Sequence, residues 1–551
     1  MGPRHPAIAD LDDKLGALLA QVGRLEESRS YFQQSLDARR EILGPDHPAL
    51  ASNLERLADT ATAMGSLREA EEYLNEALSI GASAGPEVRA RILGRLGSLS
   101  LRKRDLSAAE GYFESAIKSS DPNSQDPATA DWLDGLAQVA IANGDFDKAQ
   151  SCYERAQLTR EAALGPSHPD TLRSVVNLGD LAAAQGKWER ADTNYRRVIH
   201  LVGRTVGGEA HPLAGEVYRK LGTVAQNRGD YHEAESLYRH ALDINQKLGD
   251  EAGTSSAYRQ LGTLAWARGD YDTAESLFRQ SLEIKARMGD QAGVAADVYQ
   301  LGALAQLREN YDTAESFYRE ALSISERLGD EASMSFGYRQ LGALAQARDD
   351  YDTAESLYRH VLDISERLGD QAALAGAYHQ LGLLAQDRRD YDGAESFYRE
   401  ALGISERLGD QPAISGGYHQ LGILAQERGH FTEAESRYRQ SLAIDERLGD
   451  RVGMAISYSA LADLSETLGN PGDALAYRLR ALALRLAIGS PSTVDLRAVI
   501  QLRDGVGHDR FRSIVATTLD EASASSLIAA LDTYEAAKQK GASPAKEDPA
   551  G

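Results

Sequence analysis

The chain has 551 residues, a hydrophobic fraction of 42%, a charged fraction of 26% and a formal net charge of −23. This composition is that of a soluble folded protein; its acidity argues against nucleic acid as a partner, and no apolar run approaches the ~20 residues of a membrane helix. The single cysteine, Cys152, excludes an internal disulfide, and the amino terminus shows no apolar secretion-signal core, so a cytoplasmic location is expected.

Residues 1–212 read as five diverged repeats of 36–43 residues. The first, from about Ile8 to Pro48, predicts a helix to Gln21, a turn at Gly23 and a second helix through Ile42. Each of the next four carries a small residue on its second helix: Ala70, Ala109, Ala149 and Ala191. Several loops end in His-Pro, at His47, His168 and His211, after a glycine. Glycine stops one helix and proline starts the next. Whole repeats separate these histidines, so they are expected to shape loops rather than bind metal. The polar stretch 121–127 is expected to be a long inter-repeat loop.

Residues 213–492 read as seven regular 40-residue repeats without an insertion. Tyr311–Asp330 and Tyr391–Asp410 differ only at 313/393 and 323/403. A fixed period of this length means stacked supersecondary units. It also explains how so long a chain avoids needing one compact core. Within a repeat, Tyr338, Leu341, Gly342 and Ala345 mark one face of a first helix, and Tyr351, Ala354, Tyr358 and Leu362 one face of a second. Gly289, Gly329, Gly369, Gly409 and Gly449 stand where the second helix must stop, and Asp290, Asp330, Asp370 and Asp410 where the next must be capped. Residues 493–540 are helical in pattern but outside the period, which predicts a carboxy-terminal helical cap, with a small docking module as the alternative. Residues 541–551 are rich in Pro, Ala, Lys and Glu and are expected to be disordered.

The unit resembles a tetratricopeptide repeat. Tyr258, Leu261 and Gly262 stand where that family places Trp, Leu and Gly, and Ala274 and Phe278 follow at the family's spacing. The 40-residue form ending in Leu-Gly-Asp is similar to Pins-like scaffolds and many bacterial solenoids, and the His-Pro loops resemble kinesin-light-chain-like repeats. The resemblance implies an all-α, right-handed superhelix (α-solenoid) of about twelve helix-turn-helix repeats. The first helix of each, helix A, would line a concave groove and the second, helix B, the outside.

No phosphate loop, dinucleotide fingerprint, His-Glu-x-x-His, Cys-x-x-Cys or nucleophile elbow occurs in the sequence. Nothing assigns a catalytic residue, a cofactor or a metal, and an enzyme is not expected. Glu235/Arg239 and its counterparts, such as Glu315/Arg319 and Glu355/Arg359, fit solvated i,i+4 pairs on helix B. Arg228, Arg268, Arg308, Arg348, Arg388 and Arg428 end helix A, where a cation suits the helix dipole.

Two glutamine ladders are the candidate peptide-binding residues. Gln260, Gln300, Gln340, Gln380 and Gln420 precede Leu-Gly, where Pins-like and kinesin-light-chain-like repeats typically carry an Asn that holds a ligand backbone. Gln306, Gln346, Gln386 and Gln426 lie nearly two turns further on, with Trp266 in the same slot of its repeat. A glutamine amide both donates and accepts, as a peptide unit requires. Arg219, Arg259 and Arg339 are expected to share this wall, with Tyr299, His379 and His419 in the equivalent slots. Arginine suits carboxylates, so the expected ligand is an extended, acidic peptide or protein segment. Two histidines alone do not complete a zinc site. Recent duplication would also copy every residue whether or not it binds. The reading is therefore an interaction scaffold, with a peptide-responsive regulatory solenoid or the sensor arm of a signalling system as alternatives. Partner, pathway and oligomeric state are left open.

Overall fold

A computed structural model describes residues 6–81, 85–120, 126–203, 211–489 and 493–539. The described residues form 27 α-helices and no strand. The chain divides into two compact units, residues 1–289 and 290–551. The division at 212/213 read from the sequence is one of repeat regularity and falls inside the first unit. The tail 541–551, residues 121–125 and residues 204–210 lie outside the described residues.

The first unit holds α1 (Pro6–Gln21), α2 (Leu25–Leu43), α3 (Leu50–Ala63), α4 (Leu67–Gly81), α5 (Pro86–Arg102), α6 (Leu106–Ser119) and α7 (Pro127–Ala142). It continues with α8 (Phe146–Leu164), α9 (Pro169–Ala184), α10 (Trp188–Val202), α11 (Pro212–Asn227), α12 (Tyr231–Leu248), α13 (Glu251–Ala267) and α14 (Tyr271–Met288). The second holds α15 (Gln291–Leu307), α16 (Tyr311–Leu328), α17 (Glu331–Ala347), α18 (Tyr351–Leu368), α19 (Gln371–Asp387), α20 (Tyr391–Leu408) and α21 (Gln411–Glu427). It ends with α22 (Phe431–Leu448), α23 (Arg451–Thr467), α24 (Pro471–Ala487), α25 (Thr493–Val506), α26 (His508–Thr518) and α27 (Glu521–Gln539). Odd-numbered helices up to α23 are the A helices and even-numbered ones up to α24 the B helices.

In both units a helix packs chiefly on its sequence neighbours, the mark of an all-α repeat solenoid. Successive A helices also touch, as α5 and α7 or α11 and α13 do in the first unit and α21 and α23 in the second. A stack of pairs that closes up along one side curves towards that side, so A helices line the inner face of each unit.

Local chemistry sets the helix boundaries. Gly249, Gly289, Gly329, Gly369, Gly409 and Gly449 end B helices with φ between +65° and +74°, a conformation only glycine takes without strain. The Asp330 carboxylate then accepts from Ser333 N at 3.1 Å and starts α17; Asp370 and Asp410 act alike. The His-Pro loops use imidazole instead. Nδ1 of His47, His168 and His211 accepts from the backbone N–H two residues on, at 3.1–3.2 Å. His168 and His211 thus cap α9 and α11, whereas His47 bonds within the turn before α3, whose N-cap is Ala49.

In the six regular repeats from α11–α12 to α21–α22, a buried aromatic ring of helix B lies against the glycine of helix A. A Cβ added at Gly342 would sit 2.7 Å from the Tyr358 ring, so only glycine permits this approach. Tyr238, Tyr318, Tyr358, Tyr398 and Tyr438 are at most 2% exposed. At the carboxy-terminal end, α25–α27 cover α24 with Leu475, Leu479, Val499, Phe511 and Leu527 in one core. Arg485 pairs there with Asp495, a carboxylate only 2% exposed.

Candidate functional site: the inner face of the A helices

The two glutamine ladders lie on the inner face with different surroundings. In the second ladder the side-chain oxygens are already engaged. Gln306, Gln346, Gln386 and Gln426 accept from the hydroxyls of Tyr318, Tyr358, Tyr398 and Tyr438 at 2.8–3.1 Å. Gln226 does the same for Tyr238 at 2.9 Å and belongs to this ladder, though the sequence reading did not include it. The two partners are 12 residues apart across the turn. Each clasp satisfies a phenol that burial would otherwise strand. Two of the amides also donate to the next repeat: Gln346 Nε2 to Asp387 Oδ2 at 2.6 Å, and Gln386 Nε2 to Glu427 Oε1 at 3.0 Å.

The clasp varies as a pair. In α13–α14 the buried ring is Phe278, which has no hydroxyl, and the glutamine slot holds Trp266, edge-on to Phe278 at 6.3 Å. In α23–α24 the slots hold Glu466 and Arg478, an ion pair at 3.3 Å. In α9–α10 the slot is Ala183, and Tyr195 donates instead to Asp180 at 2.6 Å, which also takes Lys220 Nζ.

The first ladder is uncommitted. Gln260, Gln300, Gln340, Gln380 and Gln420 are half-buried, and their side chains form no hydrogen bond among the described residues. Beside them, Arg219, Arg259 and Arg339 pair with no carboxylate among the described residues. The Arg259 Nε is buried without a partner, and the Arg339 guanidinium lies over Phe336 at 5.3 Å. Arg348, Arg388 and Arg428, at the ends of A helices, behave differently. Arg388 reaches Glu355 at 2.9 Å and Asp352 at 2.7 Å on the preceding B helix, and Arg348 and Arg428 have the same two partners one repeat apart. Each such glutamate also holds the arginine four residues on, as Glu355 holds Arg359 at 2.7 Å. Helix-end arginines therefore tie one repeat to the next, in addition to facing the helix dipole.

The remaining predicted residues lie between groove and core. Tyr299 is 6% exposed, donates to Ser333 O at 3.1 Å and meets Phe336 edge-on at 5.1 Å, so it joins α15 to α17. Burial pushes its hydroxyl up to about 12. His379 and His419 lie against the Tyr398 and Tyr438 rings at 5.7 and 5.4 Å. Burial holds both imidazoles below the usual 6.5. The Nδ1 of His419 is buried and unpartnered.

Sequence reasoning did not single out Asp387 and Glu427. They follow Gln386 and Gln426 in a slot that is Ala267, Leu307 and Ala347 in earlier repeats. The register of the repeats contained that signal: one inward slot turns acidic.

Comparison with known proteins agrees with this architecture. Profiles of the tetratricopeptide repeat match residues 7–83, 126–201, 213–287, 294–367, 333–407 and 413–487, with a second profile of the same description at 55–127 and 176–249. Human "Tetratricopeptide repeat protein 19, mitochondrial" is 29% identical over 119 residues, 22% of this chain and 30% of that protein. The "Clustered mitochondria protein homolog" of Danio rerio is 30% identical over 112 residues, 20% of this chain and 8% of that protein. The chain thus spans under a third of the length of either curated relative. Among solved structures, a signal transduction ATPase with numerous domains from Pyrococcus horikoshii, bearing a tetratricopeptide repeat sensor, is 16% identical with a TM-score of 0.45. It covers 67% of this chain and 55% of its own. No described helix is long and apolar enough to cross a membrane. With its repeats matched over most of its length, the chain belongs to the tetratricopeptide repeat family.

Proposed function

We propose that this repeat scaffold holds an extended segment of a protein partner along the inner face of the A helices of its second unit, gripped by Gln300, Gln340, Gln380 and Gln420. The observation that carries the reading is the contrast between ladders. One set of amides is spent on buried tyrosines, while the other recurs in the same half-buried slot with no hydrogen-bond partner among the described residues. Unpaired polar groups at a half-buried site favour a ligand that can pair with them. In the second unit, stacked helices lie ~8–10 Å apart and an extended chain advances ~3.3 Å per residue. Gln300, Gln340, Gln380 and Gln420 would then meet about every third residue of the segment. An acidic side chain of the segment would meet Arg339 there, and Gln260 with Arg219 and Arg259 offers the same chemistry within the first unit taken by itself.

Affinity capture from the native lysate, read by mass spectrometry, tests this. Wild type is compared with a Gln300→Ala/Gln340→Ala/Gln380→Ala/Arg339→Ala variant of unchanged helicity. The variant is expected to lose specific partners that wild type retains. An identical partner list from both would remove the ladder from the binding function.

A further inference from the structure

Between α21 and α23 the inner face opens into a cavity of about 620 Å³. It exists because the ladder stops there: the slots of His419 and Gln420 are filled in α23 by Ser459 and Ala460, which line it. Ile423 and Ile456 form apolar walls, and Ile456 is 44% exposed. Glu427 and Asp463 stand on opposite helices at its rim. Among the described residues Glu427 has only the neutral Gln386 amide as a partner, and Asp387, one repeat earlier, only that of Gln346. Asp463 and Glu466 share a single cation, Arg478. Arg485 also reaches the cavity but is committed to Asp495. On a surface where most arginines are paired, Asp387 and Glu427 have no cationic partner among the described residues.

We infer that this cavity receives a lysine or arginine side chain of the bound segment, its charge between Glu427 and Asp463 and its methylene stem on Ile423 and Ile456. The inference rests on the groove reading above and adds a polarity to it. A carboxylate of the segment faces Arg339, and a cationic residue lies about two repeats further along the second unit. Three features select an organic cation carried on a chain. The acids outnumber the free bases. The walls are apolar, as a long stem requires. Gln380 and Gln420 lead up to the opening with free amides for the backbone. The field has the same sign at the groove floor: after burial, Asp387 and Glu427 push the Tyr398 hydroxyl up further, and Asp463 and Glu427 do so for Tyr438.

The test uses the full chain and fluorescent 12-residue peptide pools in which one position is fixed as Arg, Lys, Glu or Ala and the rest are degenerate. Wild type should bind Arg- or Lys-fixed pools about tenfold more tightly than Glu-fixed ones. Glu427→Gln with Asp387→Asn, neither in an ion pair, should reduce that preference to about threefold or less, and Glu427→Lys should invert it. Gln340→Ala/Gln380→Ala should instead weaken every pool alike, which separates the two claims. Equal affinity for all charges, or a preference untouched by Glu427→Gln with Asp387→Asn, overturns the cation site while leaving the groove. Pools unaffected by the glutamine changes overturn the grip itself, and no binding of any pool overturns both. Full competition by free spermidine at matched concentration would reassign the cavity to a small polycation.

Discussion

Replacing Gln346 by alanine separates structural glutamines from binding ones. Tyr358 is fully buried, and its hydroxyl has the Gln346 oxygen as its acceptor at 3.1 Å. Removing that oxygen strands a donor, at a cost of ~1–3 kcal/mol. The exposed bond from Gln346 to Asp387 adds little. The expected loss is about 2 kcal/mol. Tyr358→Phe removes donor and need together and should cost about 1 kcal/mol. The double variant Gln346→Ala/Tyr358→Phe should then be little worse than Tyr358→Phe alone, a coupling of ~1–2 kcal/mol. Solenoid stability is a sum over repeats and interfaces, so a global midpoint would dilute the effect. Amide hydrogen exchange in α17 and α18 reads it locally, and 2 kcal/mol corresponds to roughly thirtyfold faster exchange there. A Gln340→Ala variant, with no bond to lose, should exchange as wild type does. Additive single costs, or a Gln346→Ala loss below about 0.5 kcal/mol, would refute the clasp. Gln346→Trp/Tyr358→Phe, which copies the Trp266–Phe278 pair, should recover part of the loss.

Other expectations follow from the same contacts. Glu309 and Arg389 hold φ near +58° and +59° in turns where sibling repeats carry glycine. Glu309→Gly and Arg389→Gly should each stabilise by about 0.5 kcal/mol, the left-handed strain relieved exceeding the entropy glycine adds to the unfolded chain; a lower thermal midpoint would contradict this. His379 and His419 have folded pKa values depressed by burial. The unfolded chain therefore takes up protons first, and their stabilising contribution, full above about pH 6.5, is lost as pH falls below it. Wild type should lose more stability between pH 7.5 and 5.5 than His379→Gln/His419→Gln, by hydrogen exchange in α19–α22; equal losses would refute this. Arg388→Ala breaks partly exposed pairs to Glu355 and Asp352. It should cost under about 1 kcal/mol by local exchange, most of it gone in high salt; a salt-insensitive cost would point to lost packing instead.

The sequence by itself determined the all-α repeat architecture, because its signals are local. A 40-residue period, helical spacing of apolar residues, a glycine at each stop and an aspartate at each start act within one or two helical turns of themselves. The helices α16, α18, α20 and α22 accordingly begin and end at equivalent positions. The two glutamine ladders looked alike in sequence, since both recur every 40 residues on helix A. Only tertiary structure distinguished them. The acceptor duty of Gln346 depends on a phenol 12 residues away that folds back across a turn, whereas the Gln340 side chain has no hydrogen bond among the described residues. Tyr299 shared a slot with Arg259 and Arg339, but it is buried because α17 brings Ser333 and Phe336 over it. The charge of the inner face was equally hidden. Arg348, Arg388 and Arg428 at helix ends are neutralised by the preceding repeat, while Asp387 and Glu427 form no ion pair among the described residues. Net charge counts residues, but the field in a groove depends on which of them have found partners across repeats.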